Sequence, residues 1–575
     1  MTHHQDLLHR LRDFVNSESA TQLANLQRQW DLPLGERVMR GYAIEGLSVE
    51  SFHKNSMRLR CQTNESRFRE GDFLVLHRST PSGLESAQAL LEYDDETLLE
   101  VTLLGGNPFM LQTEPTGWIA DEGMLDLRHF HLDALDEVAD TWRGREIILP
   151  MLSGERIPQT DFARYERALE TAQRLGLNET QSEAIAQAYG TDLYHLIQGP
   201  PGTGKTYVLA QLVRMLVADG YRVLVSGLTH RAINNALNKI YDVDPMLPVC
   251  KIGLESRTGD LKVPNYENFI ESGFGDLVKG YAVGATPFAL RSKKRLAGVE
   301  FDVIIFDEAS QITLSLAIMG MLSGKRYIFI GDERQLPPVT SLKGSHVGNT
   351  SIFGYLAGRS SETMLTTTYR MNDVLSHWPS REFYEGRLYP DPKAASRRLG
   401  LHEMDGVWDH VLDPEQPAVF IDLHHRGNTT RSNKEAEIIT ELIQSLLFAR
   451  IAPEQIGVVV PYRAQGRVIR SKLRETLVDE QFTRAIVVDT VERMQGQERE
   501  VVLVSLTTSN ASFAADLADF YFQPERLNVA ITRPRTKLII VGSSNVLQAQ
   551  PSDTDQQDWV ELLRSLLDTC MTVSL

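Results

Sequence analysis

The run Gly199-Pro200-Pro201-Gly202-Thr203-Gly204-Lys205-Thr206 has the residue types and spacing of a phosphate cradle. Its three glycines let backbone N–H groups turn inward toward a polyanion, and a helix beginning at the end of the run adds the positive end of its dipole. Lys205 supplies a point charge to the outer phosphates, and Thr206 supplies a hydroxyl to a divalent cation. Further on, Val303-Ile304-Ile305-Phe306-Asp307-Glu308 reads as an apolar strand ending in two carboxylates. Asp307 is expected to hold Mg2+ and Glu308 to orient or deprotonate an attacking water. A glycine turn or a solvated acidic turn explains either run alone, but the pair reads as Walker A and Walker B. ATP and Mg2+ are the expected cofactors. The GTPase reading is disfavoured, because Asn238-Lys239-Ile240-Tyr241 lacks the acid of a guanine-reading motif at its fourth position.

Such runs need rigid elements to hold them. From His195 onward, apolar stretches at Tyr194–Ile197, Val223–Val225, Val303–Phe306 and Tyr327–Ile330 alternate with helical ones. Buried strands of this non-alternating kind belong to parallel sheets. The same texture restarts near residue 415, with Ala418–Ile421, Ile456–Val460, Ala485–Val488, Val501–Ser505 and Leu538–Val541. Upstream, Leu7, Leu8, Leu11, Phe14, Val15, Leu23 and Leu26 fall at helical spacing, and Pro33 and Gly35 end that run. Short alternating segments such as Met57-Arg58-Leu59-Arg60-Cys61 then predict a small β-barrel or sandwich. The fold class expected is therefore α/β, with two tandem P-loop-type domains of parallel sheet, an N-terminal helical stalk and a small β-barrel. The boundaries are 1–35 for the stalk helix, 36–154 for the barrel, 155–360 for the first sheet domain and 361–575 for the second.

Four further runs make the reading specific: Asp307-Glu308-Ala309-Ser310-Gln311, Gly331-Asp332-Glu333-Arg334-Gln335-Leu336-Pro337-Pro338, Leu365-Thr366-Thr367-Thr368-Tyr369-Arg370-Met371-Asn372 and Arg526-Leu527-Asn528-Val529-Ala530-Ile531-Thr532-Arg533. Their order over residues 176 to 545 resembles superfamily 1 helicases, and within them the B branch that contains the nonsense-mediated-decay and immunoglobulin mu-binding helicases. The resemblance implies two RecA-like domains with ATP between them. It implies that Gln181 reads adenine, Tyr369 stacks on the base and Glu498 binds the ribose. Gln335 would touch the γ-phosphate, and Arg370 and Arg533 would be arginine fingers from the second sheet. It also implies 5′→3′ travel, and a barrel on a stalk made of residues 1–30 and 155–175. The chain departs from the family pattern at Leu228 and His230, at Gln311-Ile312-Thr313-Leu314, and in the short stretch before Gly284-Ala285-Thr286. No cysteine-rich, nuclease or iron–sulfur module is evident.

The expected partner is single-stranded nucleic acid. Thr229 and Arg231, Thr286, Tyr462 and Gln465, and Thr490 and Arg493 stand at strand ends, where hydroxyls, amides and guanidinium groups suit sugar-phosphate contacts. Arg67, Arg69, His77 and Arg78 of the barrel are weaker candidates, equally explained as a solvated surface. The net charge of −17 disfavours a general nucleic-acid coat but not a local grip. His129, His131, His424 and His425 have no partners at metal spacing and read as structural. The N-terminus is polar, no apolar stretch reaches membrane-spanning length, and the three cysteines are scattered, so a cytoplasmic protein with no membrane partner is expected. Two other functions fit the same motifs: an ATP-regulated nucleic-acid clamp, and an effector subunit with little unwinding. DNA and RNA are not distinguished.

Overall fold

The computed structural model describes residues 3–575 except 54, 69–70, 84, 95–96, 106–110, 112, 297, 345, 360–361, 403–405 and 478. Arg69 lies outside the described residues. Strands β1 (Ala43–His53), β2 (Ser56–Arg60), β3 (Phe73–His77), β4 (Ala87–Asp94), β5 (Leu98–Gly105) and β6 (Trp118–Glu122) close into a barrel in the order β1-β2-β5-β4-β3-β6. The expected period of two is visible in β2, where Met57 and Leu59 are buried and Arg58 and Arg60 face outward. Closure also removes the unpaired edges that an open sheet of this size would expose.

An eight-stranded parallel sheet follows, made of β7 (Tyr194–Gln198), β8 (Arg222–Ser226), β9 (Val249–Ile252), β10 (Asn265–Tyr266), β11 (Tyr281–Gly284), β12 (Val303–Phe306), β13 (Arg326–Gly331) and β14 (Glu362–Met364). Its order is β10-β9-β11-β8-β12-β13-β7-β14. The unbroken apolar runs follow from its two covered faces: Leu196, Leu224, Ile304 and Phe306 enter one hydrophobic cluster, and Ile197, Val225 and Ile305 enter the other. After a short pair, β15 (Thr367–Thr368) with β16 (Tyr389–Pro390), comes a second parallel sheet. It comprises β17 (Ala418–Asp422), β18 (Ile456–Val460), β19 (Val487–Thr490), β20 (Arg499–Ser505), β21 (Pro534–Gly542) and β22 (Met571–Ser574), ordered β19-β18-β20-β21-β17-β22.

Three features differ from the sequence expectation. The helix Arg128–Asp140 falls within the range assigned to the barrel, yet its Ala134, Leu135 and Val138 join Leu7, Leu8, Leu11 and Phe14 of the helix His3–Trp30 against the first sheet. The helix Phe162–Arg174, assigned to the stalk, instead places Ala168 and Ala172 in the opposite cluster beside the helix Glu179–Gly190. The partner of the long N-terminal helix is thus Arg128–Asp140. In addition, β14 pairs with β7, so the first sheet extends through Met364. Among the described residues, no helix is long and apolar enough to cross a membrane.

Candidate nucleotide cleft and strand-facing rim

The phosphate loop runs from the end of β7 into the helix Lys205–Ala218. Gly202 and Gly204 take φ values of 74° and 82°, the left-handed region that glycine enters without a Cβ clash. Contact makes Gly202 irreplaceable for a second reason: a Cβ there would meet Arg370 Cβ at 2.5 Å and Thr368 Oγ1 at 2.6 Å. The segment carrying Tyr369 and Arg370 therefore lies directly on the loop, and Tyr369 N donates to Gly202 O at 2.8 Å. Gly199 O accepts a hydrogen bond from the Lys205 ammonium. Pro200 O accepts from Thr203 Oγ1 at 2.8 Å. Pro201 lies at the start of the turn that leads to Gly204, and Thr206 sits half-buried in the first helical turn.

Gln181 is nearly fully buried at the third position of the helix Glu179–Gly190, in a capping box with Asn178. Its Nε2 donates to Thr203 O at 3.1 Å, tying this helix to the phosphate loop. Each amide atom retains one further hydrogen-bonding position. Tyr369 is 40% exposed and its hydroxyl accepts from Asn178 Nδ2 at 2.8 Å, which places an open aromatic face beside Gln181.

Asp307 and Glu308 leave the end of β12 in different environments. Asp307 is buried, and burial together with the neighbouring Glu308 carboxylate pushes its pKa up, against the pull of Lys205. A buried carboxylate raised in this way fits a divalent cation, and Thr206 in the first turn of the helix Lys205–Ala218 could supply a hydroxyl to it. Among the described residues there is no cluster of three His, Cys, Asp or Glu side chains. The remaining oxygens of a hard cation would come from phosphate and water. Glu308 is half-buried with φ 53°, an uncommon conformation for a non-glycine residue. Gln495 from the second sheet donates to Glu308 Oε2 at 3.4 Å.

The two arginines expected as fingers differ in freedom. Arg370 Nε donates to Glu498 Oε2 at 2.8 Å, and its Nη1 donates to Thr532 O at 2.9 Å. Burial raises the Glu498 carboxyl, but Arg370, Arg535 and Arg533 outweigh it and hold the group below the ordinary range. Arg533 is fully buried, donating to Val529 O, Gln497 O and Thr532 Oγ1 at 2.8, 3.3 and 2.9 Å. Burial, and then repulsion from Arg370, lower its pKa to about 9.

Gln335 connects the cleft to the second sheet. Its Nε2 donates to Asp332 Oδ2 at 2.6 Å, and the same carboxylate oxygen accepts from the Tyr384 hydroxyl at 2.8 Å. Asn528 Nδ2 donates to that hydroxyl at 2.8 Å and to Arg334 O at 2.6 Å. Sequence reasoning does not single out Tyr384 or Asn528. Asn528 lies within the run that ends at Arg533, but Tyr384 carries no signal of its own.

The residues expected to hold a strand are less uniform. Thr229 and Thr286 follow the adjacent strands β8 and β11, and both are helix N-caps, bonded to Ala232 N at 3.1 Å and Ala289 N at 3.4 Å. Arg231, on the first turn of its helix, is exposed. On the second sheet, Gln465 is a correction: it is fully buried, with Oε1 accepting from Ser432 N at 2.7 Å and Nε2 donating to Ser432 O at 3.0 Å. Its amide fastens the start of the helix Asn433–Phe448 and is shut off from a strand. Tyr462 is half-buried, its ring 5.6 Å from that of Phe520. Thr490 is nearly buried at the end of β19, and Arg493 pairs with Asp489 at 3.6 Å.

Of the described barrel candidates, Arg67 and Arg78 are exposed. His77 is buried, with Nε2 2.6 Å from Asp121 Oδ2. Arg78 pairs with Glu114, and Arg67 lies 3.9 Å over the Tyr42 ring. The four histidines read as structural are near no metal cluster among the described residues. His425 bridges Ser509 Oγ and Glu435 Oε1, each at 2.8 Å.

Two known domain families, each described as an AAA domain, match residues 176–387 and 349–545. The mouse protein "DNA replication ATP-dependent helicase/nuclease DNA2" is 30% identical over 450 residues, covering 71% of this chain and 41% of that protein. The Saccharomyces cerevisiae protein of the same name is 27% identical over 449 residues, covering 71% of this chain and 28% of its own length. The Schizosaccharomyces pombe "DNA polymerase alpha-associated DNA helicase A" is 27% identical over 454 residues, covering 67% of this chain and 66% of that protein. The chain thus spans less than half the length of these two DNA2 relatives. Among solved structures, the arterivirus nonstructural protein 10 helicase aligns at 12% identity and a TM-score of 0.39, covering 92% of this chain and 82% of that one.

Proposed function

Because the chain belongs to superfamily 1 of the helicases, we propose that it hydrolyses ATP between its two parallel sheets and so moves along single-stranded nucleic acid. The observation that carries the reading is the path of Arg370. Its backbone neighbour Tyr369 is bonded to Gly202 of the phosphate loop, while its guanidinium bonds to Thr532 and Glu498 of the second sheet. One short segment therefore touches both halves of the site. A small rotation of the second sheet changes the position of its guanidinium relative to the phosphates.

Lys205 and the loop amides would hold the phosphates, and Glu308 would take or orient the proton of water. Asp307 and Thr206 would hold Mg2+, which would supply positive charge to the phosphate oxygens. Charge spreads over the γ-phosphoryl oxygens during transfer, so a guanidinium arriving from the second sheet accelerates the step by about 10³–10⁵. In this arrangement hydrolysis depends on domain closure, which converts chemistry into relative motion. Gln335, bonded through Asp332 and Tyr384 to Asn528, would report the state of the phosphates to the second sheet.

The B-branch assignment and 5′→3′ travel are part of the same proposal, supported by the barrel placed before Gln181. DNA is the favoured strand, since the relatives named above are described as DNA helicases. A partial duplex with a 5′ single-stranded tail should be unwound and its 3′-tailed counterpart should not. Unwinding confined to the 3′-tailed duplex would overturn the polarity and the branch. Hydrolysis without displacement on either duplex would identify the clamp instead.

A further inference from the structure

Residues 366–370 are where the chain passes from one parallel sheet to the other. Leu365 is buried in the cluster that holds Ile197, Val225 and Ile305 of the first sheet, and Met371 in the cluster that holds Phe420, Val502 and Ile540 of the second. Tyr369 and Arg370 are thus carried by a crossing rather than by a long strand or a helix. Their backbone needs another support if a stacking ring and a finger are to arrive in register.

The first part of the crossing is held by pairing of β15 with β16, where Tyr389 N donates to Thr366 O and Asp391 N to Thr368 O, each at 2.8 Å. The next rung of a parallel ladder would run from Lys393 N to Arg370 O. That N–H is instead taken by Asp391 Oδ1 at 2.9 Å, because Asp391 caps the short helix Pro392–Ala395. Arg397 fills the missing rung. Its Nη1 donates to Arg370 O at 2.9 Å and to Tyr369 O at 3.4 Å. The clamp is itself anchored in the second sheet. Asn372, fully buried, donates its Nδ2 to Arg397 O at 3.2 Å and to Thr536 O of β21 at 3.1 Å. The adjacent Arg398 shows the ordinary alternative, an ion pair with Asp373 at 3.1 Å. Arg370 is therefore held to the second sheet at both ends, its guanidinium by Thr532 O and Glu498 and its main chain by Arg397.

We propose that Arg397 is a positioning residue of the nucleotide cleft, clamping the crossing so that Tyr369 and Arg370 move as one body with the second sheet. Given the reading of the cleft as an ATPase site with Arg370 as its finger, on which this proposal rests, base contact and finger insertion are linked through a single backbone clamp. Arg397 acts through those two residues and touches no part of the nucleotide. Without it, the backbone can shift between Thr368, fixed by β16, and Met371, fixed in the second core. A displacement of about 1 Å in a reacting group can cost about 10² in rate, so a loose crossing is enough to slow turnover.

Arg397 is half-buried, so Arg397→Ala leaves both carbonyls within reach of water, while Arg397→Lys keeps a cation that can donate to each. ATP affinity and the single-turnover hydrolysis rate would be measured with saturating single-stranded DNA for the native chain and both variants. The Ala substitution would also be combined with Arg370→Ala and, separately, with Tyr369→Ala. Alone, it should slow hydrolysis by about 10–10² and weaken ATP binding several-fold. The Lys variant should recover most of both losses. In the Arg370→Ala background, Arg397→Ala should bring no further loss of rate. In the Tyr369→Ala background it should bring no further loss of ATP affinity, since residues that act through one another are not additive. Native rate and affinity in the Arg397→Ala chain would overturn the clamp, and so would losses that add in full in both backgrounds. An affinity loss that persists without Tyr369, at unchanged rate, would make Arg397 a direct nucleotide ligand instead. The reading beneath it fails separately: a native chain that hydrolyses no ATP, or an Arg370→Ala chain with native turnover, would remove the finger and the clamp with it.

Discussion

In the nucleotide cleft, side chains from both sheets converge on one loop: Gln181, Lys205, Tyr369 and Arg370 all lie within a bond or a van der Waals contact of Gly199–Gly204. On the strand-facing rim, residues chosen by the same reasoning are spread out and partly engaged elsewhere, as helix caps at Thr229 and Thr286 and as a buried fastener at Gln465. Phosphate transfer tolerates little positional error, so its residue types and spacing are narrowly constrained. A sequence-independent grip needs only positive charge and hydroxyls near a backbone, and many arrangements meet that need. The sharper the chemistry, the more of it is written into local sequence.

The largest expected effect breaks the link between the two sheets. Arg370→Ala should lower kcat by about 10³–10⁵ while leaving ATP bound, because the guanidinium stabilises charge that develops only in the transition state. Nucleotide affinity and single-turnover hydrolysis, measured separately, check this. A variant that lost affinity and turnover in proportion would place Arg370 in ground-state binding.

Next comes Glu308→Gln, which keeps the shape of the side chain and removes its basicity. Turnover should fall by about 10²–10⁴ with ATP binding retained. Lys205→Ala should weaken nucleotide binding as well, since it deletes a charge from the cradle. Near-native turnover by the Gln variant would show that another group activates water.

A smaller effect sharpens the role of the Arg370–Glu498 pair. Glu498→Gln weakens an ion pair that is partly exposed, worth about 1 kcal/mol or less. Strand-free turnover should rise a few-fold as Arg370 is released, and stimulation by strands should shrink to match. A rise in KM for ATP with unchanged strand-free kcat would confine Glu498 to the ribose.

The smallest effect on function should come from Gln465→Ala. Both amide atoms serve Ser432 in the protein interior, so the cost is in stability, about 1–3 kcal/mol for the backbone groups left unpaired. Strand affinity per folded molecule should not change. A selective loss of strand affinity at unchanged thermal stability would return Gln465 to the rim.

The contrast between cleft and rim also explains how much is legible in the sequence. The phosphate loop is readable because two glycines there adopt φ values that other residues avoid, and a third is covered by the Lys205 side chain. The two parallel sheets are readable because strands covered on both faces, such as Val303–Phe306, need apolar residues at every position. Gln465 misleads because a polar residue at a strand end serves equally as ligand or fastener, and only burial tells them apart. The stalk is half legible for a related reason. Apolar spacing in Phe162–Arg174 shows that a face is buried, not which neighbour buries it.

The central claim is that turnover waits for the strand, because the residues completing the site belong to a sheet that must close. ATP hydrolysis by the native chain, measured with no strand and then with saturating single-stranded DNA and RNA of matched length, tests it most directly. Turnover should be low alone and rise many-fold with at least one of the two strands, DNA being the expected one. Equal turnover in all three conditions would contradict the account.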